Sequence, residues 1–153
     1  MNMIVPVTKE NLSDAAYVHS ITWKESHRSF CDPAFVERHT PERQASFLLG
    51  EMEKGKRLFL LSEDAPVGIV SVDGSVIENL YVLPERQGRG YGTRLLLFAV
   101  SQCAGDPVLW VLNVNPSAKR LYERHSFSST GRVRRLNDTI FEIEMVKQSA
   151  GRS

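Results

Sequence analysis

Apolar residues along the chain follow two spacings, one typical of amphipathic helices and one typical of strands. Helical spacing dominates the first third, and alternating or continuous apolar runs dominate from residue 57 onward. In chain order the pattern predicts a strand over 3–7, a helix from a cap at Thr8 to about His27, a loop with one helical turn over 29–39, a helix over 40–55, strands over 57–62, 67–72 and 76–83, a helix over 90–104, a strand over 108–114, a short helix over 115–124, and strands over 127–134 and 139–146. This order is that of a mixed α/β (α+β) sheet.

The length and composition limit the class of protein. The 153 residues suit one domain, which we expect over residues 1–147, followed by a frayed polar tail over 148–153. Apolar residues make up 42% and charged residues 24%, which excludes disorder, collagen and a coiled coil. The formal charge of +1 gives no general attraction to nucleic acid or to an anionic membrane.

The sequence carries no signal for membrane insertion, secretion, disulfide formation or metal binding. The longest apolar run is too short to cross a bilayer, and the N-terminus lacks the basic start and apolar stretch of a signal peptide. Cys31 and Cys103 provide neither a disulfide framework nor a CxxC metal pair, and the four histidines show no metal spacing. We therefore expect a soluble, cytoplasmic protein.

The most informative segment is the glycine-rich turn over residues 80–93, LYVLPERQGRGYGT. Glycines at 88, 90 and 92 stand where a strand is followed by a helix. Without a Cβ they let main-chain N–H groups turn inward and let a ligand approach the backbone. The next helix adds free N–H groups and the positive end of its dipole, which favour a phosphate. The segment therefore predicts an anion cradle.

Two common phosphate motifs do not fit this turn. A dinucleotide fold requires GxGxxG after its first strand, whereas here the third glycine comes one residue early and several strands precede it. The nucleoside-triphosphate loop GxxxxGK[ST] does not occur in the chain. Both the glycine spacing and the strand order therefore disfavour a dinucleotide-binding oxidoreductase.

The spacing Gln87-x-x-Gly90-x-Gly92 resembles the pyrophosphate-binding motif of the GNAT superfamily of N-acetyltransferases, Q/R-x-x-G-x-G/A, which holds coenzyme A. Residues 115–124, NPSAKRLYER, are similar to the second motif of that family, N-x-x-A-x-x-L-Y-E-R. The likeness covers residues 3–147 and is sharpest over 76–127. One departure is Ser126, where the family usually has glycine, so the end of this helix is expected to differ in shape.

The resemblance implies a mixed, mostly antiparallel sheet of about seven strands flanked by four helices. The two central parallel strands would splay apart, and acetyl-CoA would enter between them with its pyrophosphate on the glycine turn. No metal is implied. The implied cofactor contacts are Leu80, Tyr81, Val82, Gln87, Gly88, Arg89, Gly90, Tyr91, Gly92, Thr93, Asn115, Lys119 and Tyr122.

Three residues are implied in the chemistry. Tyr122 would protonate or hydrogen-bond the departing sulfur, and its alternative role is simple core packing. Glu78 is the preferred base, acting directly or through a water, and its alternative is a solvated or substrate-orienting acid. The main-chain N–H of Val82 is the expected oxyanion donor. Asn79 is expected on the opposite face of the strand from Glu78, with a structural role.

The implied function is transfer of an acetyl group to a primary amine by direct attack in a ternary complex. The acceptor is a small-molecule or peptide amine of open identity, and pairing through the last strands or exposed helices allows for a homodimer. An acyl-CoA-binding sensor or interaction module on the same fold is the alternative. Tyr17, Trp23 and Phe30 either wall the acceptor cleft or pack in the core, and the basic stretch at 132–135 reads as a solvated face.

Overall fold

The computed structural model describes residues 3–148 and contains seven strands and five helices in that range. In chain order they are β1 (Met3–Pro6), α1 (Leu12–His27), α2 (Pro33–Glu37), α3 (Pro41–Glu53), β2 (Arg57–Ser62), β3 (Pro66–Asp73), β4 (Val76–Val82), α4 (Tyr91–Gln102), β5 (Val108–Leu112), α5 (Pro116–Arg124), β6 (Phe127–Arg135) and β7 (Phe141–Lys147). One 3-10 turn, Pro84–Arg86, precedes α4. The expected single domain over 1–147 stays a prediction, and the expected frayed tail lies outside the described residues from 149 onward.

The strands form one mixed sheet in the order β1-β2-β3-β4-β5-β7-β6, which confirms the predicted fold class. All neighbouring strands are antiparallel except β4 and β5. These two are parallel and pair only where Val76 lies opposite Val108. Beyond this pair they separate, so the predicted splay at the centre of the sheet is confirmed.

Apolar clusters cover both faces of the sheet. Helices α1 and α3 cover one face, where Val18 and Leu48 pack with Leu58 and Ile69 of β2 and β3. Helix α4 covers the other face through a second cluster, which includes Leu95, Leu96, Ala99, Val70, Val72, Ile77, Val82, Val111 and Tyr122. The largest buried side chains are aliphatic, so the sheet and its helices form a rigid frame around the gap between β4 and β5.

Two helix boundaries differ from the sequence-based expectation. The helical turn predicted within 29–39 is a separate helix, α2, because the Asp32 carboxylate accepts hydrogen bonds from the N–H groups that follow it. This gives five helices instead of four. The predicted cap at Thr8 is wrong, since α1 begins at Leu12. Asn11 instead closes the preceding loop, where its side-chain oxygen accepts the Thr8 N–H at 2.7 Å.

Within residues 3–148, no helix has the length and apolarity needed to span a bilayer. In the same range, no three or more His, Cys, Asp or Glu side chains are grouped to hold a metal ion.

Candidate active site

The separation of β4 from β5 opens a cleft of about 1010 Å³. The glycine turn and α5 line one end of it, and the C-terminal part of α1, β5 and β7 line the other. Most of the predicted site residues meet in its wall, namely Glu78, Leu80, Tyr81, Val82, Gln87, Gly88, Gly90, Gly92, Thr93, Asn115 and Tyr122. The side chains of Arg89, Tyr91 and Lys119 are not part of this lining.

The glycine turn has a backbone conformation that favours glycine at two positions. Gly88 and Gly90 have φ values of +78° and +87°, which side chains other than glycine rarely adopt. A Cβ at either position would meet no heavy atom within 4 Å, so the backbone is open to a ligand. The Gln87 side chain donates a hydrogen bond of 3.0 Å to the carbonyl of Val82 and ties the turn to the end of β4.

Tyr91, Lys119 and Arg89, the three predicted site residues outside the cleft lining, have side chains in other surroundings. The Tyr91 hydroxyl donates a hydrogen bond to Glu63, which raises the pKa of Tyr91 and turns its side chain toward the loop after β2. The Lys119 ammonium lies 3.3 Å from the Glu123 carboxylate on the surface of α5. Arg89 is exposed at the glycine turn. Contact of Tyr91 with an anion would therefore involve its main-chain N–H.

The main-chain N–H of Val82 is directed toward the cleft. The next residue, Leu83, donates its N–H to the Val67 carbonyl at 2.9 Å, and Val82 itself lies opposite Gly68. Because successive residues of an antiparallel strand direct their main-chain groups to opposite sides, the N–H of Val82 is directed away from β3. It lies on the side where β5 has separated, as an oxyanion donor requires.

A β-bulge interrupts β4 upstream of Val82. Ile69 pairs with Tyr81 but Ser71 pairs with Glu78, so β4 contains one extra residue at this point. Asn79 in the bulge is left-handed, with φ of 52°. The expectation that Asn79 and Glu78 lie on opposite faces is wrong, because the bulge turns both side chains toward α1 and α3.

A buried chain of hydrogen bonds holds Asn79 in this conformation. Gln44 of α3 donates to Nδ1 of His19 at 2.7 Å, so Nε2 carries the proton and lies 3.4 Å from Oδ1 of Asn79. The Asn79 amide donates to Oγ of Ser71 at 3.0 Å, and that hydroxyl donates to the Glu78 carbonyl at 3.1 Å. Burial lowers the pKa of His19 to about 4, with the hydrogen bond to Asn79 opposing this shift, so the imidazole is neutral at physiological pH.

This buried imidazole predicts acid lability of the fold. The pKa of His19 is 6.5 when exposed and about 4 when folded, so its contribution to stability is complete above pH 6.5 and is lost as pH falls toward 4. The full difference is about 3 kcal/mol. Urea titrations at pH 7.5 and 4.5 measure how far the free energy of unfolding drops between these pH values. We expect this drop to be smaller for His19→Gln than for the parent chain. His125→Gln is the matched control and should keep the parent slope; an equal slope for His19→Gln would contradict the assignment.

We call the end of the cleft with the glycine turn the donor end and the end with α1, β5 and β7 the acceptor end, after the expected places of cofactor and amine. Glu78 forms an ion pair at the acceptor end. Its Oε1 is buried and lies 3.0 Å from the Lys56 ammonium, without the alignment of a hydrogen bond. Lys56 also donates a hydrogen bond of 2.8 Å to Glu51 of α3, and these two carboxylates raise the pKa of Lys56. The Glu78 side chain is 36% exposed and lines the cleft, so it is accessible to a substrate or a water.

Helix α5 places Tyr122 in the cleft wall. Asn115 caps the helix by accepting the Ala118 N–H at 3.2 Å, as its sequence predicts. Tyr122 is 7% exposed, and burial raises its pKa to about 12. Ser126, two residues after the end of α5, is left-handed with φ of 72°, a backbone region that favours glycine. The expected difference at the end of this helix stays a prediction.

Aromatic side chains join α1 to α2 at the acceptor end. The Trp23 ring is stacked between the imidazoles of His27 and His39, with centroid distances of 4.0 Å and 3.5 Å. Burial lowers the pKa of His27. Of the three aromatic residues expected near an acceptor, Trp23 lines the cleft, whereas Tyr17 and Phe30 are not part of the lining.

Sequence reasoning missed Trp110 and Glu142 at this end, and it identified Arg134 only as part of a basic surface stretch. Trp110 of β5, Glu142 of β7 and Arg134 of β6 line the cleft together. The Arg134 guanidinium lies 3.9 Å from the centroid of Trp110 and 3.1 Å from Glu142. Its side chain is 56% exposed, so this stretch is solvated as expected, and at Arg134 it also lines the cleft. Side chains alternate between the two faces along β5 and along β7, and this alternation was the available signal for Trp110 and Glu142. It shows that the two residues share a face only when the pairing of the strands is known.

About half of the chain, including most of the cleft wall, is similar to a known protein family. Residues 54–129, from the end of α3 into β6, match the family model described as acetyltransferase (GNAT) domain. This span contains both the glycine turn and α5. No curated protein matches the chain significantly in sequence.

Solved structures resemble the fold over nearly its whole length. PaiA N-acetyltransferase from Thermoplasma acidophilum, in complex with coenzyme A, has a TM-score of 0.75 at 18% identity, over 97% of this chain and 99% of its own. YncA from Salmonella typhimurium, with its cofactor acetyl-CoA, has a TM-score of 0.68 at 16% identity, over 97% and 94%. An N-acetyltransferase from Staphylococcus aureus Mu50 has a TM-score of 0.68 at 14% identity, over 97% and 98%. At these identities the likeness shows the fold alone.

Proposed function

Because the chain belongs to the GNAT superfamily of acetyltransferases, we propose that it transfers an acetyl group from acetyl-CoA to a primary amine by direct attack in a ternary complex. The observation that carries the proposal is the cleft between β4 and β5, whose wall joins the glycine turn, the Val82 main chain and Tyr122. These are the parts that thioester aminolysis needs: an anion cradle, an oxyanion donor and an acid for the leaving sulfur.

The donor end of the cleft fits a diphosphate-bearing cofactor. Open, left-handed glycines and the start of α4 present main-chain N–H groups, and the exposed Arg89 adds a positive charge beside them. The unpaired edge of β4, at Leu80 and Val82, offers main-chain groups to the extended part of the cofactor. Lys119 and Asn115 lie at α5 on the other side. The structures of PaiA with coenzyme A and YncA with acetyl-CoA support this donor.

The chemistry divides among three groups of the chain. The bound thioester supplies the acyl carbon; an N–C bond forms, the C–S bond breaks, and the amine loses a proton. Presenting a lysine-like amine as the free base at pH 7 costs about 4.6 kcal/mol, so Glu78 accepts that proton directly or through a water. The Val82 N–H stabilises the oxygen that gains negative charge, and Tyr122 donates its proton to the sulfur. Its raised pKa keeps that proton in place until it is needed.

Calorimetric titration tests the donor. We expect one acetyl-CoA site per chain and no binding of NADH. Arg89→Glu should weaken acetyl-CoA binding about tenfold, because it reverses a charge beside the phosphates. Arg38→Glu reverses the charge of another exposed arginine, which follows α2, and it should leave the Kd unchanged.

Two results would contradict the proposal. Failure of the folded chain to bind acetyl-CoA would remove the argument from the glycine turn. Binding without turnover on a broad amine panel would favour the acyl-CoA-binding sensor.

A cytoplasmic location and a homodimer also stay predictions. Cys31 and Cys103 are free thiols, as suits a reducing compartment.

A further inference from the structure

We propose that Trp110 and Glu142 form a cation subsite at the acceptor end of the cleft, and that the acceptor amine carries a second positive charge that occupies it. This inference rests on the proposed acetyl transfer and adds the substrate class. The subsite combines an aromatic face with a carboxylate, the two groups that bind ammonium and guanidinium ions in proteins.

Strand register brings the two residues to the same face. Glu142 of β7 pairs with Leu112 of β5, and Glu144 pairs with Trp110, so all four side chains lie on the side of the sheet that α1 covers further along. Trp110 and Glu142 both line the cleft, and the Glu142 side chain is 27% exposed. Glu142 also contributes to the raised pKa of Tyr81, after burial and Tyr122, which places its charge near the end of β4.

A cation of the chain itself already fills this position. The Arg134 guanidinium stacks 3.9 Å from the Trp110 centroid and lies 3.1 Å from Oε1 of Glu142. Arg134 comes from β6, the last strand of the sheet, and its side chain is 56% exposed. Exposed ion pairs contribute little to stability, so a substrate cation can displace this side chain into solvent. Arg134 therefore marks where a ligand cation binds.

The charges around the subsite favour a cation over an anion. Glu25, Glu78 and Glu142 line the cleft, and among the described residues the Lys or Arg side chains in its lining are Arg134 and, at the end of α5, Arg124. Glu144, beside Trp110, is 12% exposed, and its partner Arg132 is 74% exposed. In both ion pairs of β6 with β7 the acid is the more buried partner, since Glu142 is 27% exposed against 56% for Arg134. Lys56 is held behind Glu78 by Glu51.

Steady-state kinetics with three acceptors of equal chain length tests the subsite. At saturating acetyl-CoA we expect kcat/KM to fall in the order 1,4-diaminobutane, butylamine, 4-aminobutanoate. Glu142→Gln should lower kcat/KM for the diamine about tenfold and change that for butylamine less than about twofold, since butylamine has no second charge. Arg134→Ala should raise kcat/KM for the diamine about threefold, because it removes the guanidinium that lies nearest to the Trp110 ring, at 3.9 Å against 5.9 Å for Arg132.

Arg135→Ala is the matched control for Arg134. Its guanidinium lies over Phe141 instead of Trp110, and the variant should match the parent on all three acceptors. Highest activity on 4-aminobutanoate, lost in Arg134→Ala, would overturn the subsite and identify Arg134 as a carboxylate-binding residue. Equal activity on the three acceptors would also overturn it while leaving acetyl transfer intact. Absence of transfer to any acceptor would overturn the proposed function and the subsite together, and calorimetry with acetyl-CoA shows whether the donor site survives.

Discussion

Replacing Tyr122 by phenylalanine is expected to lower kcat at least 100-fold and to leave the Kd for acetyl-CoA unchanged, because general acid catalysis contributes about 10²–10⁴ to a rate. The phenylalanine ring keeps the packing against Phe127 and removes only the hydroxyl. Since the Tyr122 pKa is about 12, the phenol stays protonated across the assay range. The rate ratio of parent to variant should therefore be constant between pH 6.5 and 9.5.

Tyr17→Phe is the matched control for this experiment. Tyr17 lies on α1 and is 44% exposed, so the same atom is removed where no role is expected. Thermal unfolding of both variants checks that the fold is intact. A Tyr122→Phe variant with more than one third of the parent kcat would assign Tyr122 to packing, the alternative that its burial allows.

Glu78→Gln is expected to lower kcat/KM about 100-fold near pH 7, the lower end of the range for a general base. The loss should shrink as pH approaches the pKa of the acceptor amine, because an amine that is already neutral needs no base. Acetyl-CoA affinity should not change, since Glu78 lies at the acceptor end. A pH series of kcat/KM for both chains measures this.

The pH dependence of kcat/KM distinguishes the two possible roles of Glu78, general base and carboxylate that orients the amine. A loss of constant size at every pH indicates a carboxylate that orients the amine, in place of a base. Glu53→Gln, which removes an exposed carboxylate of α3, serves as the control and should follow the parent at each pH. The Lys56 ion pair to Glu51 persists in the Glu78 variant, so the local packing keeps a charged partner.

Local signals in the sequence account for much of the fold and the donor site. Asn115 followed by Pro116 predicts the start of α5, and glycines at 88, 90 and 92 predict a turn before α4 whose backbone is open to a ligand. Each depends on neighbouring residues alone, because a cap or a positive φ is decided within one turn of chain. Most residues at the donor end of the cleft can therefore be predicted from the sequence.

The acceptor end depends on contacts between distant residues. The bulge at Asn79 is held through His19 of α1, 60 positions earlier, and no pattern within β4 indicates it. The grouping of Trp110, Arg134 and Glu142 requires the order β5-β7-β6 and the register of both pairs. A shift of one residue in either register would move these side chains to the other face.

The single point of pairing between β4 and β5 has a consequence for how such a protein diversifies. Gln87 to Gly92 continue from the four-stranded half of the sheet, whereas Trp110, Arg134 and Glu142 belong to the three-stranded half. Substitutions at positions that share no partner combine nearly additively in free energy. A lineage can therefore exchange residues of β5, β6 and β7 while the glycine turn, our proposed site for the acyl donor, is inherited unchanged.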